Sequence, residues 1–249
     1  MSSVASDGRG GLAPASDGTG GGPPAVEAAG LERRYHDGER VIEVLRGLSL
    51  SVGRGESVAV IGESGVGKST LLHLLGGLDK PDGGVVRVGG ADLYALPARQ
   101  LAAVRGRSIG FVFQFHHLLG DFDATENVMM PLLVAGHPPG RARARANELL
   151  DRVGLRDRRS HRPSEMSGGE QQRVAVARAL ALRPSVVLAD EPTGNLDPAT
   201  ADEVHGLLMD VQREEGAALV VATHNIALAG MLGRTLRMQD GVLKEVERS

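Results

Sequence analysis

The stretch Gly62-Glu-Ser-Gly-Val-Gly-Lys-Ser69 leaves this chain few folds to choose from. It fits the pattern G-x-x-x-x-G-K-[ST], and it stands between two segments the pattern needs. Before it, Val58 to Ile61 is a continuous apolar, β-branched run of the kind found in a strand covered on both faces. After it, Leu71, Leu72, Leu75 and Leu78 recur at helical spacing. In a strand, loop and helix of this kind, Gly62, Gly65 and Gly67 let the backbone curl. The amides from Glu63, Ser64 and Val66 through Thr70 then point inward at phosphate oxygens, at the positive end of a helix. Lys68 is placed to reach the outer phosphates, and the Ser69 hydroxyl to ligate Mg²⁺.

The rest of the chain repeats the alternation. Leu48, Leu50 and Val52 alternate with polar residues as one strand, Val186 to Ala189 reads as another buried strand, and Asp197-Pro198 supplies an N-cap and a first-turn proline. The fold class expected is α/β, a mostly parallel sheet with an antiparallel β portion. Between about 92 and 165 the texture changes: Thr125 to Ala135 and Arg141 to Val153 read as helices, the second ending at Gly154. We expect a helical insertion there, with the core formed by 26–91 and 166–249. Residues 1–25 are rich in Gly, Ser, Pro and Ala, too poor in large apolar side chains to offset ordering entropy, and are expected to form a disordered tail without the features of a secretory signal.

Composition excludes several classes of function. There are no cysteines, so a disulfide framework, a thiolate metal site and a cysteine nucleophile are all absent, as suits a reducing compartment. A net charge of −3 offers no global cationic surface, and no nucleic acid partner is implied. No window reaches the roughly 18 apolar residues of a spanning helix, so any work at a membrane is expected to run through partners. Eight arginines crowd 141–162, against three carboxylates; a solvated helix face is the plain reading of them, anionic lipid contact the other.

Two further stretches carry chemistry. Val186-Val-Leu-Ala-Asp190-Glu191 sets two carboxylates at the carboxyl end of a buried strand, where open α/β sheets bind ligands. Asp190 would hold Mg²⁺ and Glu191 would polarise an attacking water. Ser167-Gly168-Gly169 opens a second helix and forms another phosphate-ready N-terminus.

Taken in order, these residues resemble ATP-binding-cassette ATPases, the P-loop nucleotide hydrolases that power transporters. The likeness runs from about Val26 to Val246. It includes Ser167-Gly-Gly-Glu170 followed by Gln171-Gln-Arg173 as the signature, Gln114, the segment Gly194-Asn-Leu-Asp197, and His224. Glu170 departs from the usual glutamine. The resemblance implies ATP and Mg²⁺ as ligands, Tyr35 stacking on adenine, His224 contacting the γ-phosphate, and Gln114 sensing Mg²⁺ while coupling to a membrane partner. It also implies a head-to-tail homodimer of ATPase subunits, in which Ser167 completes the site of the other copy.

Ser69-Thr-Leu-Leu-His73-Leu-Leu-Gly-Gly-Leu-Asp79 and Gly110-Phe-Val-Phe-Gln114-Phe-His-His117 are similar to the ATP-binding subunits of lipoprotein-releasing systems. These are peripheral on the cytoplasmic face of the inner membrane and drive transmembrane permease subunits on separate chains. Subunits of macrolide-exporter-like and cell-division-like systems are the alternative. All four phenylalanines, Phe111, Phe113, Phe115 and Phe122, flank Gln114. Alternation would put Phe111, Phe113 and Phe115 on one face; packing between core and insertion is one reading of Phe111 and Phe113, while Phe115 and Phe122 are expected to anchor a partner helix.

Overall fold

A computed structural model describes residues 22–38 and 40–246. The expected tail therefore lies outside the described residues up to position 21. At its inner end the boundary moves, because Ala25 is buried: its N–H donates to Val52 O at 3.0 Å, and its carbonyl accepts from Gly89 N at 3.0 Å.

Two sheets form the frame. β1 (Val26–Asp37), β2 (Arg40–Val52), β4 (Gly83–Val88) and β5 (Ala91–Asp92) make an antiparallel sheet in the order β2-β1-β4-β5. β3 (Ser57–Ile61), β6 (Ile109–Phe113), β7 (Val186–Asp190), β8 (Ala218–Thr223), β9 (Arg234–Gln239) and β10 (Val242–Glu245) make the second, in the order β10-β9-β3-β8-β7-β6. In it β9, β3, β8, β7 and β6 run parallel, and β10 closes one edge antiparallel to β9.

Seven helices surround these sheets among the described residues: α1 (Lys68–Leu75), α2 (Ala98–Ser108), α3 (Ala124–Val134), α4 (Pro139–Arg152), α5 (Gly168–Ala179), α6 (Pro198–Glu215) and α7 (Ile226–Met231). The central strands lack a polar face because both of their faces are covered. Val58 and Val60 of β3, Val186 and Leu188 of β7, and Val220 of β8 join a core with α1 and the antiparallel sheet. Their neighbours Ala59, Ile61, Val187, Leu219 and Val221 join the other core, with α3, α4 and α5. This one-residue alternation is the pleat of a doubly covered parallel sheet, and it explains why these strands read as unbroken apolar runs.

The stretch 92–165 is not helical throughout. Ile109–Phe113 pairs in parallel with Val186–Asp190, so β6 is an edge strand of the core sheet, and the helices α3 and α4 follow it. The alternation that sets Phe111 and Phe113 on one face is the period of this strand, and what the sequence left open was that it belongs to the core sheet and not to the insertion. Gly110 is needed there, since a Cβ would stand 2.4 Å from Ala179 O of α5.

Of the eight arginines in 141–162, Arg145, Arg152, Arg156, Arg158 and Arg159 are paired with carboxylates of this chain. Those five charges are met within the chain, which weighs against a lipid surface. No helix among the described residues is long and apolar enough to cross a membrane.

Candidate nucleotide site

Parallel register brings the site together. Ile61 is level with Thr223, Asp190 with Ala222, and Phe113 with Asp190. The residues that leave the carboxyl ends of four adjacent strands are therefore Gly62, His224, Glu191 and Gln114, in a row. Sequence separations of 33 to 162 positions vanish in a single edge of sheet.

At the first strand end the backbone turns into α1 through Gly67, whose φ is 110°. A Cβ at Gly67 would lie 2.6 Å from Val44 Cγ1 of β2, so only glycine brings the loop this close to the antiparallel sheet. As the N-cap, Gly67 has no side chain to satisfy the first amides of α1, which leaves them available to an anion. Lys68 is 8% exposed, and its ammonium donates to Gly62 O at 2.8 Å and Glu63 O at 3.0 Å. A buried cation whose hydrogen bonds go to carbonyls of its own loop is a charge poised for an anionic ligand.

Glu191 faces Lys68 from the end of β7, with Oε1 4.0 Å from Lys68 Nζ. Its other oxygen, Oε2, accepts from Thr223 Oγ1 at 3.2 Å and from His224 N at 3.3 Å, and lies 3.0 Å from His224 Nδ1. Its backbone is left-handed, at φ 44°, a conformation costing about 1 to 2 kcal/mol for a residue with a Cβ. Strain of this kind held in place by the sheet, with Glu191 N donating to Ala222 O at 2.9 Å, is characteristic of functional carboxylates.

Asp190 has the opposite character. Burial pushes its carboxyl above the ordinary range, against a hydrogen bond from Ser69 and the nearby Lys68 charge. Its Oδ1 is buried and without a hydrogen-bond partner. A buried carboxylate oxygen left open beside a serine hydroxyl suits a hard divalent cation, which takes oxygen ligands and keeps several waters. No group of three or more His, Cys, Asp or Glu side chains gathers among the described residues, so a cation here would depend on Asp190, Ser69 and oxygens from its ligand.

Gln114 does not point its nitrogen at this pair: Gln114 Nε2 donates to Asn195 Oδ1 at 3.0 Å, and Asn195 Nδ2 donates back to Gln114 O at 3.2 Å. Ser167 and Tyr35 are engaged elsewhere. Ser167 caps α5, accepting from Glu170 N at 3.2 Å, while Glu170 Oε2 accepts from Ser167 N at 2.8 Å. Backbone and side-chain bonds from Ser167, with Arg158 at 2.8 Å, hold the Glu170 carboxyl below its usual range, which accounts for glutamate in place of glutamine. Ser167 and Gly168 are exposed, whereas Gly169 is buried. Tyr35 donates its hydroxyl to Asp79 at 3.1 Å, and the Arg33 guanidinium lies 4.6 Å from its ring centroid.

A cleft of about 550 Å³ opens beside the loop, lined by Gly62, Glu63, Val66, His224 and Arg237 among others. A second, of about 350 Å³, lies between Glu191, Gly194, Leu196 and His224.

The ABC transporter family model matches residues 45–194. The chain belongs to that family. It is accordingly a nucleotide-binding ATPase subunit whose hydrolysis is coupled to transport. It is 56% identical over 216 residues to the lipoprotein-releasing system ATP-binding protein LolD of Geobacter metallireducens, covering 87% of this chain and 96% of that protein. To LolD of Maricaulis maris it is 56% identical over 218 residues, covering 88% and 95%. Among solved structures it is similar to the ATP-binding cassette MJ0796, described as a dimer in a post-hydrolysis state bound to ADP and phosphate. The TM-score is 0.82 at 37% identity, over 90% of this chain and 99% of that one.

Two contacts of the site have no signal in the sequence. Thr223 stands one position before His224 as one more residue of a strand, yet its hydroxyl donates to Glu191 Oε2. Asn195 lay within a segment already singled out, but its tie to Gln114, 81 residues away, has no local signal.

Proposed function

We propose that this ABC ATPase is the ATP-hydrolysing subunit of a lipoprotein-releasing transporter, working at the cytoplasmic face of the inner membrane as a peripheral protein. The observation that carries this reading is the 56% identity to lipoprotein-releasing ATP-binding proteins across nearly the whole folded chain.

In this reading the loop from Gly62 to Thr70 cradles the phosphates of ATP through its amides, and the Lys68 ammonium exchanges its carbonyl partners for phosphate oxygens. Ser69 and Asp190, with Gln114, would hold Mg²⁺, which would supply positive charge beside the outer phosphates. Glu191 takes up the attacking water's proton through Oε1, while Thr223 and the His224 amide fix Oε2. His224 sits 3.0 Å from Glu191 and turns to the γ-phosphate when the site is filled. Tyr35, backed by Arg33, offers its ring to adenine.

The exposed Ser167-Gly168 turn reaches ATP held by a second copy, so two ATPase subunits join head to tail and each site is completed by its partner. The likeness to a cassette described as a dimer supports this arrangement.

Permease subunits dock beside Gln114. Phe111 and Phe113 stack with centroids 5.4 Å apart and line a groove of about 290 Å³ with Pro131 of α3 and Arg178 of α5. Phe111 packs at the end of α1, where a Cβ on Gly76 would strike its ring. Phe115, past the strand end, is 66% exposed, as an anchor for a partner is before it binds. Phe122 is half-buried.

The test is affinity purification from detergent-solubilised membranes. Recovery of a permease that binds lipoproteins is expected; a macrolide-exporter or cell-division permease would move the chain to that system, and recovery of ribosomal or DNA-repair proteins alone would overturn the transport reading. Phe115→Ala with Phe122→Ala should weaken that recovery sharply while leaving basal hydrolysis within a few-fold of wild type.

A further inference from the structure

Two side chains of α5 grip the loop that carries Gln114. Gln172 is fully buried, and its Nε2 donates to Phe113 O at 3.4 Å. Arg178 donates through one guanidinium nitrogen to His117 O and through the other to His116 O, both at 2.7 Å. These contacts bracket Gln114 on both sides, and they come from the helix that Ser167 caps.

Arg178 is the unusual member. Burial alone pulls its pKa down, with no carboxylate among the described residues opposing it. A desolvated guanidinium without a counter-charge is costly, and two short bonds to adjacent carbonyls are what this one receives in return. The carbonyls must converge to receive the fork, and His117 adopts φ 48° to let them. Its ring meets Phe113 edge-on at 5.4 Å. The turn after Gln114 thus has one shape, set by Arg178.

We infer that Arg178 is a positioning residue for hydrolysis, fixing the loop from Phe113 to His117 so that Gln114 is presented to the nucleotide site. This rests on the role proposed above for Gln114 and adds to it the group that holds it. Because Arg178 touches neither Lys68 nor Glu191 through any hydrogen bond, its removal acts on turnover through Gln114 and spares nucleotide capture.

The experiment is steady-state ATPase kinetics and fluorescent-nucleotide binding on the full chain carrying Arg178→Met, Arg178→Lys, Gln114→Ala and the combinations of each with Gln114→Ala. Arg178→Met keeps the aliphatic length and removes the half-buried charge. Its kcat should fall by about tenfold or more, the scale of lost hydrogen bonds to a charged group, while KM and nucleotide affinity stay within about twofold. Arg178→Lys, with one ammonium for two carbonyls, should recover part of the loss. In the Gln114→Ala background either Arg178 change should cost less than about twofold, because the group it positions is gone.

A wild-type kcat in Arg178→Met, or a loss undiminished in the Gln114→Ala background, would overturn the inference. If Arg178→Met melts lower than wild type, Arg178→Lys gives the same two readings. A wild-type kcat in Gln114→Ala would overturn both this inference and the role of Gln114; an impaired Gln114→Ala beside a wild-type Arg178→Met overturns only the role of Arg178.

Discussion

His224 Nδ1 and Glu191 Oε2 stand 3.0 Å apart, across the carboxyl ends of two neighbouring parallel strands. One oxygen of Glu191 is thereby fixed by the His224 ring, the His224 amide and the Thr223 hydroxyl, and the other faces Lys68. A carboxylate so divided has one oxygen held by its scaffold and one turned toward the Lys68 ammonium.

Glu191→Gln should keep the scaffold bonds, since an amide oxygen accepts from Thr223 and His224 as well. It lacks the basicity to take a proton from water. Hydrolysis should fall by roughly 10² to 10⁴, with nucleotide affinity retained. With MgATP the variant should elute as a dimer in size-exclusion chromatography; strictly monomeric elution would count against the head-to-tail arrangement.

Lys68→Ala tests the phosphate loop. The ammonium now bonds Gly62 and Glu63 carbonyls, which lie at a loop surface that water can reach after truncation. Thermal stability should change little, while nucleotide affinity falls by about 10- to 100-fold, the worth of a hydrogen bond to a charged group. Isothermal titration beside a melting curve separates the two effects.

Gly169 lies against α6, and a Cβ there would stand 2.3 Å from Thr200 Cγ2. Thr200 is not free to turn aside, because its hydroxyl donates to Asp197 Oδ2 at 2.6 Å in the cap of α6. Gly169→Ala should therefore destabilise by about 1 to 3 kcal/mol through overpacking. Thr200→Ser removes the obstructing methyl and keeps the cap, so the double variant should regain most of the lost melting temperature.

Glu215, at the end of α6, is 9% exposed and takes hydrogen bonds from Arg145 at 2.9 Å and Arg152 at 2.6 Å, with Arg183 at 3.6 Å. Burial raises its carboxyl pKa, but the bonds from Arg145 and Arg152 outweigh this and hold it below the usual glutamate range. A depressed carboxylate pKa stabilises the fold above the unfolded value, near 4.3, and that stability is lost as pH falls through the folded value. Glu215→Gln should cost about 2 kcal/mol at neutral pH. The difference in melting temperature from wild type should shrink below about pH 4; a pH-independent gap would mean that the loss is one of packing.

The sequence by itself determined every local device of the site. The glycine spacing of Gly62 to Ser69 requires a curled loop between strand and helix. The apolar run into Asp190-Glu191 requires a strand end with two carboxylates, and Ser167 and Asp197 are N-caps legible from their neighbours. Such features are local because they follow from backbone conformation within a few residues. What the tertiary structure decided is which devices meet. Parallel register set Thr223 and His224 beside Glu191, and closed the 81-residue separation between Gln114 and Asn195. It also placed the strand Ile109–Phe113 at the edge of the core sheet, and it turned Arg178 from one arginine among 25 into the clasp of the Gln114 loop. Hydrogen bonds between distant strands and helices depend on how the two cores pack on either side of one sheet. That packing is a property of the whole chain, so no window of its sequence carries it.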